Sequence, residues 1–335
     1  MGLDEALSLA RKRRRARRRD VRTAVALVVA ATLAVSVAAG SALGSDSSAS
    51  PGRGAPLRVV TTTTFLDDTV RRIGGDHVTT VRLMGPGVDP HLYHAKASDL
   101  REMRRADAVV AVGLYLEGSL MRTLRAVAET KPVLFAAEAV PEHLLLSPPP
   151  GAAPEEEYDP HVWFEPRLWA YVVDAVAAEL AELDPAHAAD YHRRAATYRQ
   201  RVLALNEEIR ALVDAVPERS RVLVTSHDAF RYFGRAFGLD VVAVQGVSTQ
   251  QEASTADIDR VADVVAARDV GAVFVETSVS EQTVNAVLAA VRHRGGDAKL
   301  GAPLYSDSTG ADGTPEGTYL GMVRANAERI AEGLR

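Results

Sequence analysis

The chain has 335 residues, 47% hydrophobic, 25% charged and only 5% aromatic, with no cysteine. This excludes a disordered chain and a disulfide-held miniprotein, and with them thiol catalysis, iron–sulfur and zinc-thiolate sites and a lipid carried on cysteine. The net charge of −5 hides an asymmetry: nine of the 39 Lys/Arg and three of the 44 Asp/Glu fall within residues 1–22, leaving 30 and 41, or −11, for the remainder. That acidic body argues against a nucleic-acid partner.

The basic block, Arg11-Lys12-Arg13-Arg14-Arg15 and Arg17-Arg18-Arg19, is followed by an uncharged Ala/Val/Leu stretch from Thr23 to Gly44 and a small, polar stretch to Gly54. A cationic start, an apolar segment and small residues describe an export signal. The stretch also has the roughly 20 residues needed to span a bilayer, with the arginines on the cytoplasmic side. Cleavage near Ser41-Ala42-Leu43 and retention of residues 24–43 as an anchor both remain open. Either places the body outside the cytoplasm; the competing reading is a nucleic-acid arm followed by a buried helix.

From Leu57 onward, β-rich runs alternate with helical patterns, which predicts α/β architecture with mostly parallel sheets. Strands are expected at Arg58–Thr62, His77–Met84, Ala108–Val112 and Val133–Phe135, with a helix at Leu66–Ile73. The rhythm restarts at Arg221–Thr225 and continues through Val241–Val244, Ala272–Val275 and Leu300–Tyr305. Two α/β lobes follow, a leader over 1–55, a first lobe over 56–183, a connector over 184–216 and a second lobe over 217–335. In the connector, Asp184-Pro185 offers an N-cap and a first-turn proline, and no glycine or proline recurs before Pro217. One helix from Pro185 to Ala215 would run about 46 Å at 1.5 Å per residue; two helices broken near Tyr198 are the alternative.

Two segments nearly repeat, Val88-Asp89-Pro90-His91-Leu92-Tyr93 and Tyr158-Asp159-Pro160-His161-Val162-Trp163. In each, Asp-Pro fixes a turn and presents a histidine. A third histidine, His227, follows the strand ending at Thr225, and Asp307 follows the last predicted strand; such strand ends are where open α/β sheets hold ligands. Three imidazoles and a carboxylate, spaced 70, 66 and 80 residues apart with two in each lobe, suit one divalent transition metal in the cleft. Glu252 and Glu276 are candidates to orient a ligand imidazole. His77, His143, His187, His192 and His293 read as surface or helix residues, and His94 is expected to point away from His91.

These segments carry a resemblance. Together with Leu83-Met84-Gly85-Pro86-Gly87, Ser226-His227-Asp228-Ala229-Phe230, Gln245-Gly246-Val247-Ser248 and Glu316-Gly317-Thr318-Tyr319-Leu320-Gly321-Met322, the chain from Leu57 to Leu334 resembles the zinc/manganese-binding solute receptors of bacterial ABC importers, the TroA-like and adhesin-like metal-binding family. The resemblance implies two lobes joined by one long helix, metal between them on His91, His161, His227 and Asp307, and delivery by a monomer to a membrane permease. Two departures stand out. Members are often lipoproteins, whereas this chain has no cysteine, and zinc-specific members commonly carry a histidine-rich loop where residues 147–157 hold proline and acid. Manganese lies at the weak end of the divalent series, so nitrogen donors favour Zn²⁺ over Mn²⁺. A zinc hydrolase on the same residues is the alternative, though no His-Glu-x-x-His motif is present. A rigid connector further predicts release through small tilts and loosening of the Ser306–Gly313 loop rather than through wide closure.

Overall fold

The computed structural model describes residues 55–149 and 152–335. The basic block, apolar segment and polar linker lie outside the described residues, as do Pro150 and Gly151. No helix among the described residues is long and apolar enough to cross a membrane.

In the first lobe, β1 (Leu57–Thr61), β2 (Val78–Arg82), β3 (Ala108–Ala111) and β4 (Val133–Phe135) pair in parallel in the order β2-β1-β3-β4. Val59 stands opposite Thr80 on one side and Ala108 on the other. Helices α1 (Thr64–Gly74), α2 (Ala97–Arg105) and α3 (Met121–Ala128) make the crossovers. Two long helices follow, α4 (Pro166–Leu183), with proline in its first turn, and α5 (Ala188–Asp214). The second lobe repeats the topology. Its strands β5 (Val222–Thr225), β6 (Asp240–Ala243), β7 (Ala272–Val273) and β8 (Lys299–Leu300) pair in the order β6-β5-β7-β8, linked by α6 (Arg231–Phe237), α7 (Thr255–Ala267) and α8 (Gln282–His293). In both sheets the chain leaves its first strand to one side and returns on the other. That reversal opens a crevice at the strands' carboxyl ends.

The connector is one helix, but shorter than the sequence predicts. Pro185–His187 form a 3-10 turn, and the α-helix begins only at Ala188. The cause is local. The Asp184 carboxylate makes no cap hydrogen bond to the backbone; it accepts His187 Nδ1 at 2.6 Å and the Tyr191 hydroxyl at 2.7 Å instead. The remaining 27 residues span about 40 Å. Tyr191, Ala195, Tyr198, Val202, Leu205, Ile209 and Val213 form a buried stripe at three- and four-residue spacing. The strand expected at Leu300–Tyr305 is also reduced, to Lys299–Leu300 and a lone bridge between Leu304 and Glu276. Pro303, which has no N–H to give a ladder, sits in the interruption.

The main core does not stop at the lobe boundary. One cluster joins Val59, Phe65 and Trp163 to Phe230, Phe274 and Tyr319. Phe164 stacks on Phe230 at 4.3 Å, and Trp169 stacks on Tyr319 at 5.1 Å. Tyr319 opens α9 (Tyr319–Gly333), which packs against α1 and α5. Buried hydrogen bonds cross as well: Trp163 Nε1 donates to the Ser306 carbonyl, and the Tyr319 hydroxyl to the Trp163 carbonyl. The lobes share one interior, which resists large relative rotation.

Candidate metal centre

All four predicted donors meet between the lobes. One nitrogen from each of His91, His161 and His227 and an oxygen of Asp307 lie within 4.8 Å of one another, and all four residues are buried. His227 stands two residues past β5, and Asp307 three past the Leu304 bridge. His91 lies on the loop after β2, and His161 on the approach to α4.

The repeated Asp-Pro-His segments fold alike. Asp89 Oδ1 accepts the main-chain N–H of His91 at 2.8 Å, and Asp159 Oδ1 that of His161 at 3.0 Å. These are turns closed by an aspartate side chain onto the backbone two residues on. At His161 the same oxygen also faces ring Nδ1 at 2.8 Å. His227 is held in parallel fashion by Glu276: one carboxylate oxygen accepts its main-chain N–H at 2.8 Å, and the other lies against ring Nδ1. With Nδ1–H turned to a carboxylate on both rings, each Nε2 presents its lone pair to the centre. Those two nitrogens are 3.3 Å apart. Asp307 places Oδ1 3.5 Å from His161 Nε2 and Oδ2 3.4 Å from His227 Nε2. A tetrahedron with zinc–ligand distances near 2.05 Å has edges of about 3.3 Å. Both Asp307 oxygens and His91 Nε2 are buried without a hydrogen-bond partner. Orphaned acceptors converging in this way fit a cation.

The charges respond to the crowding. Burial pushes the His91 imidazole down to about 3, against the pull of Asp307. Burial opposes protonation of His161 and His227 too, but it is outweighed. The ring's hydrogen bond to Asp159 and the nearby Asp307 carboxylate raise His161, and the charges of Glu276 and Asp307 raise His227 well above the usual range. Burial works against the Asp307 carboxylate, yet the neighbouring imidazoles hold it well below the ordinary range, His227 foremost. A metal ion bound on these nitrogens requires them unprotonated.

Of the two glutamates singled out to orient a ligand, Glu276 reaches His227, whereas Glu252 is exposed and touches none of the four. His94 and His143 are exposed, as expected. His77, expected to open β2, lies in a 3-10 turn, half-buried and stacked on His187 with ring centroids 3.8 Å apart. Sequence reasoning missed the second role of Asp159, whose signal was its place two residues ahead of a repeated histidine. It also missed Glu117. This buried carboxylate accepts Thr62 Oγ1 and the N–H groups of Val112 and Gly113, tying the ends of β1 and β3 together. The loop expected to loosen divides in two: Ser306–Thr309 are buried, while Ala311–Thr314 are exposed. Ser308 Oγ accepts the Gly87 N–H, and the Thr309 N–H donates to Thr64 Oγ1.

Comparison with known proteins gives a consistent result. Residues 59–333 match the family described as zinc-uptake complex component A, periplasmic. The chain is 40% identical to the manganese-binding lipoprotein MntA of Bacillus subtilis over 288 residues, covering 86% of this chain and 93% of that protein. It is also 40% identical to the zinc-binding protein TroA of Treponema pallidum over 281 residues, covering 84% and 89%. The solved structure of the periplasmic zinc-binding TroA superposes with a TM-score of 0.80 at 39% identity, covering 83% of this chain and 99% of that one. The hydrolase alternative finds no support among these relatives. The chain belongs to the zinc-uptake complex component A family, the non-enzymatic metal-binding receptors of ABC importers.

Proposed function

We propose that the chain captures one divalent transition metal outside the cytoplasm, on His91, His161, His227 and Asp307, and hands it to the permease of an ABC importer. One observation carries this reading: three imidazoles and a carboxylate converge with His91 Nε2 and both Asp307 oxygens buried and unpartnered. Zinc is the favoured cargo. Three nitrogen donors rank Zn²⁺ above Mn²⁺, and the donor separations suit tetrahedral bonding. Manganese is the second reading, supported by the free state of both Asp307 oxygens, which lets the carboxylate bind through two atoms, and by the likeness to a manganese-binding relative. The receptor acts as a monomer, and residues 24–43 either leave with the signal or hold it at the membrane.

Calorimetric titration of the metal-stripped protein with Zn²⁺ and then Mn²⁺ tests the reading. One Zn²⁺ per chain is expected, with Mn²⁺ bound more weakly and displaced by zinc. Replacing any of the four donors with alanine should cost most of the affinity and the thermal stabilisation that binding confers. Equal losses from His143→Ala and His161→Ala would overturn the ligand assignment.

A further inference from the structure

His91 is the donor whose ring lacks a carboxylate. Asp159 faces the His161 ring and Glu276 the His227 ring; among the described residues no side chain hydrogen-bonds to the ring of His91. Its position therefore depends on the segment that carries it, and the second lobe holds that segment at Gly87, at the Asp89 carboxylate and at the His91 carbonyl. Ser308 Oγ accepts the Gly87 N–H at 2.8 Å. Thr249 Oγ1 donates to Asp89 Oδ2 at 2.5 Å, while the other oxygen of Asp89 holds the His91 N–H. Gln250 Nε2 donates to the His91 carbonyl at 3.1 Å. Thr249 is buried, and Ser248 Oγ accepts the Gln250 N–H at 3.3 Å, which steadies the segment. Gly118 makes the approach possible, because a Cβ there would stand 2.3 Å from Gln250 Nε2 and 2.8 Å from the His91 carbonyl oxygen.

We propose that Thr249 and Gln250 are positioning residues for His91: through Asp89 and the His91 carbonyl, the second lobe holds a first-lobe donor on the metal, and the parting of these contacts sets the rate at which metal leaves. This rests on the metal site proposed above. A small separation at the Ser248–Gln250 segment frees the His91 turn from two of its handles at once. The shared interior stays closed meanwhile, so release needs no wide opening of the lobes. Three donors would then remain, with one position open to the acceptor.

The test measures transfer of Zn²⁺ from the full protein to a chromogenic chelator by stopped flow, in wild type and in Thr249→Val, Thr249→Ser, Gln250→Ala and Gly118→Ala variants. Loss of outer contacts to a metal ligand typically costs 10–100-fold in affinity. Thr249→Val and Gln250→Ala should accordingly release Zn²⁺ about tenfold faster or more, with metal-free melting temperatures near wild type. Thr249→Ser, which keeps the hydroxyl, should restore the slow rate. Gly118→Ala, whose Cβ meets the His91 carbonyl as well as Gln250, should release Zn²⁺ at least as fast as Gln250→Ala. The visible spectrum of the Co²⁺-loaded protein should shift in Thr249→Val and return in Thr249→Ser. Release rates within twofold of wild type in both Thr249→Val and Gln250→Ala, with His161→Ala still abolishing Zn²⁺ binding, would overturn the proposal and leave the metal site standing. Equal acceleration in the Ser and Val variants would also overturn it. A wild-type protein that holds no Zn²⁺ would instead remove the reading beneath it.

Discussion

Changing Glu276 to glutamine preserves shape and removes one acceptor. In the native site one carboxylate oxygen takes the main-chain N–H of His227, and the other lies against ring Nδ1. Glutamine offers one oxygen and one NH₂ to these two donors. If the oxygen keeps the main-chain N–H, the NH₂ faces Nδ1, and the ring proton moves to Nε2, where it covers the lone pair meant for metal. If the oxygen turns to the ring, the amide opposes the main-chain N–H, and a buried unpaired donor costs about 1–3 kcal/mol. Both routes predict zinc binding about 10–100-fold weaker, or about 1.4–2.7 kcal/mol. A competition titration against a chelator of known affinity measures the loss, and nitrogen NMR of the His227 ring distinguishes the tautomers. A dissociation constant within threefold of wild type, while His227→Ala destroys binding, would refute the reasoning.

Raised imidazole pKa values for His161 and His227 stabilise the metal-free fold fully below the unfolded value of about 6.5, and that contribution is lost as pH rises through their folded values. Zinc needs those rings neutral, so the gap in melting temperature between loaded and metal-free protein should widen as pH rises above about 6.5; a gap that narrows by calorimetry contradicts this. Solution scattering should give nearly the same dimensions with and without Zn²⁺, because the aromatic interior crosses both lobes; closure by tens of degrees would show otherwise. Hydrogen exchange on metal removal should rise at Gly87–His91 and Ala311–Thr314, with Ser306–Thr309 and Ala196–Leu212 staying protected. His94→Ala should bind Zn²⁺ as wild type does in calorimetry, since that ring is exposed; a tenfold loss would place it among the donors.

The four candidate donors, which the fold brings together, were legible because their context is local. A turn former two residues before a histidine, repeated once, and a strand running into Ser-His are patterns read within a few positions. The two-lobe rhythm was legible for the same reason, through runs such as Val222–Thr225 bounded by turn residues. Contacts between distant segments were not. Nothing near Glu117 announces that it will accept N–H groups from the end of β3 and a hydroxyl from Thr62, 55 residues away. Asp184 reads as a cap because the local pattern is correct, but Tyr191 and His187 compete for the same oxygen and delay the helix. Thr249 reads as loop polarity until Asp89 is seen across the cleft.

The docking of α9 on α1 and α5 has a consequence for the order of assembly. Residues 319–333 complete the packing around helices that begin more than a hundred residues earlier, and the Tyr319 hydroxyl secures the Trp163 carbonyl beside His161. During synthesis from the amino end, the first sheet can pair early, but its helical cover stays unfinished until this segment arrives. The candidate metal centre is therefore assembled late, by a piece of chain that contributes none of its four side chains. A protein ending before Thr318 should retain strand content yet melt without a sharp transition and hold no zinc, whereas a cooperative melt in that truncation would show that the first lobe matures alone.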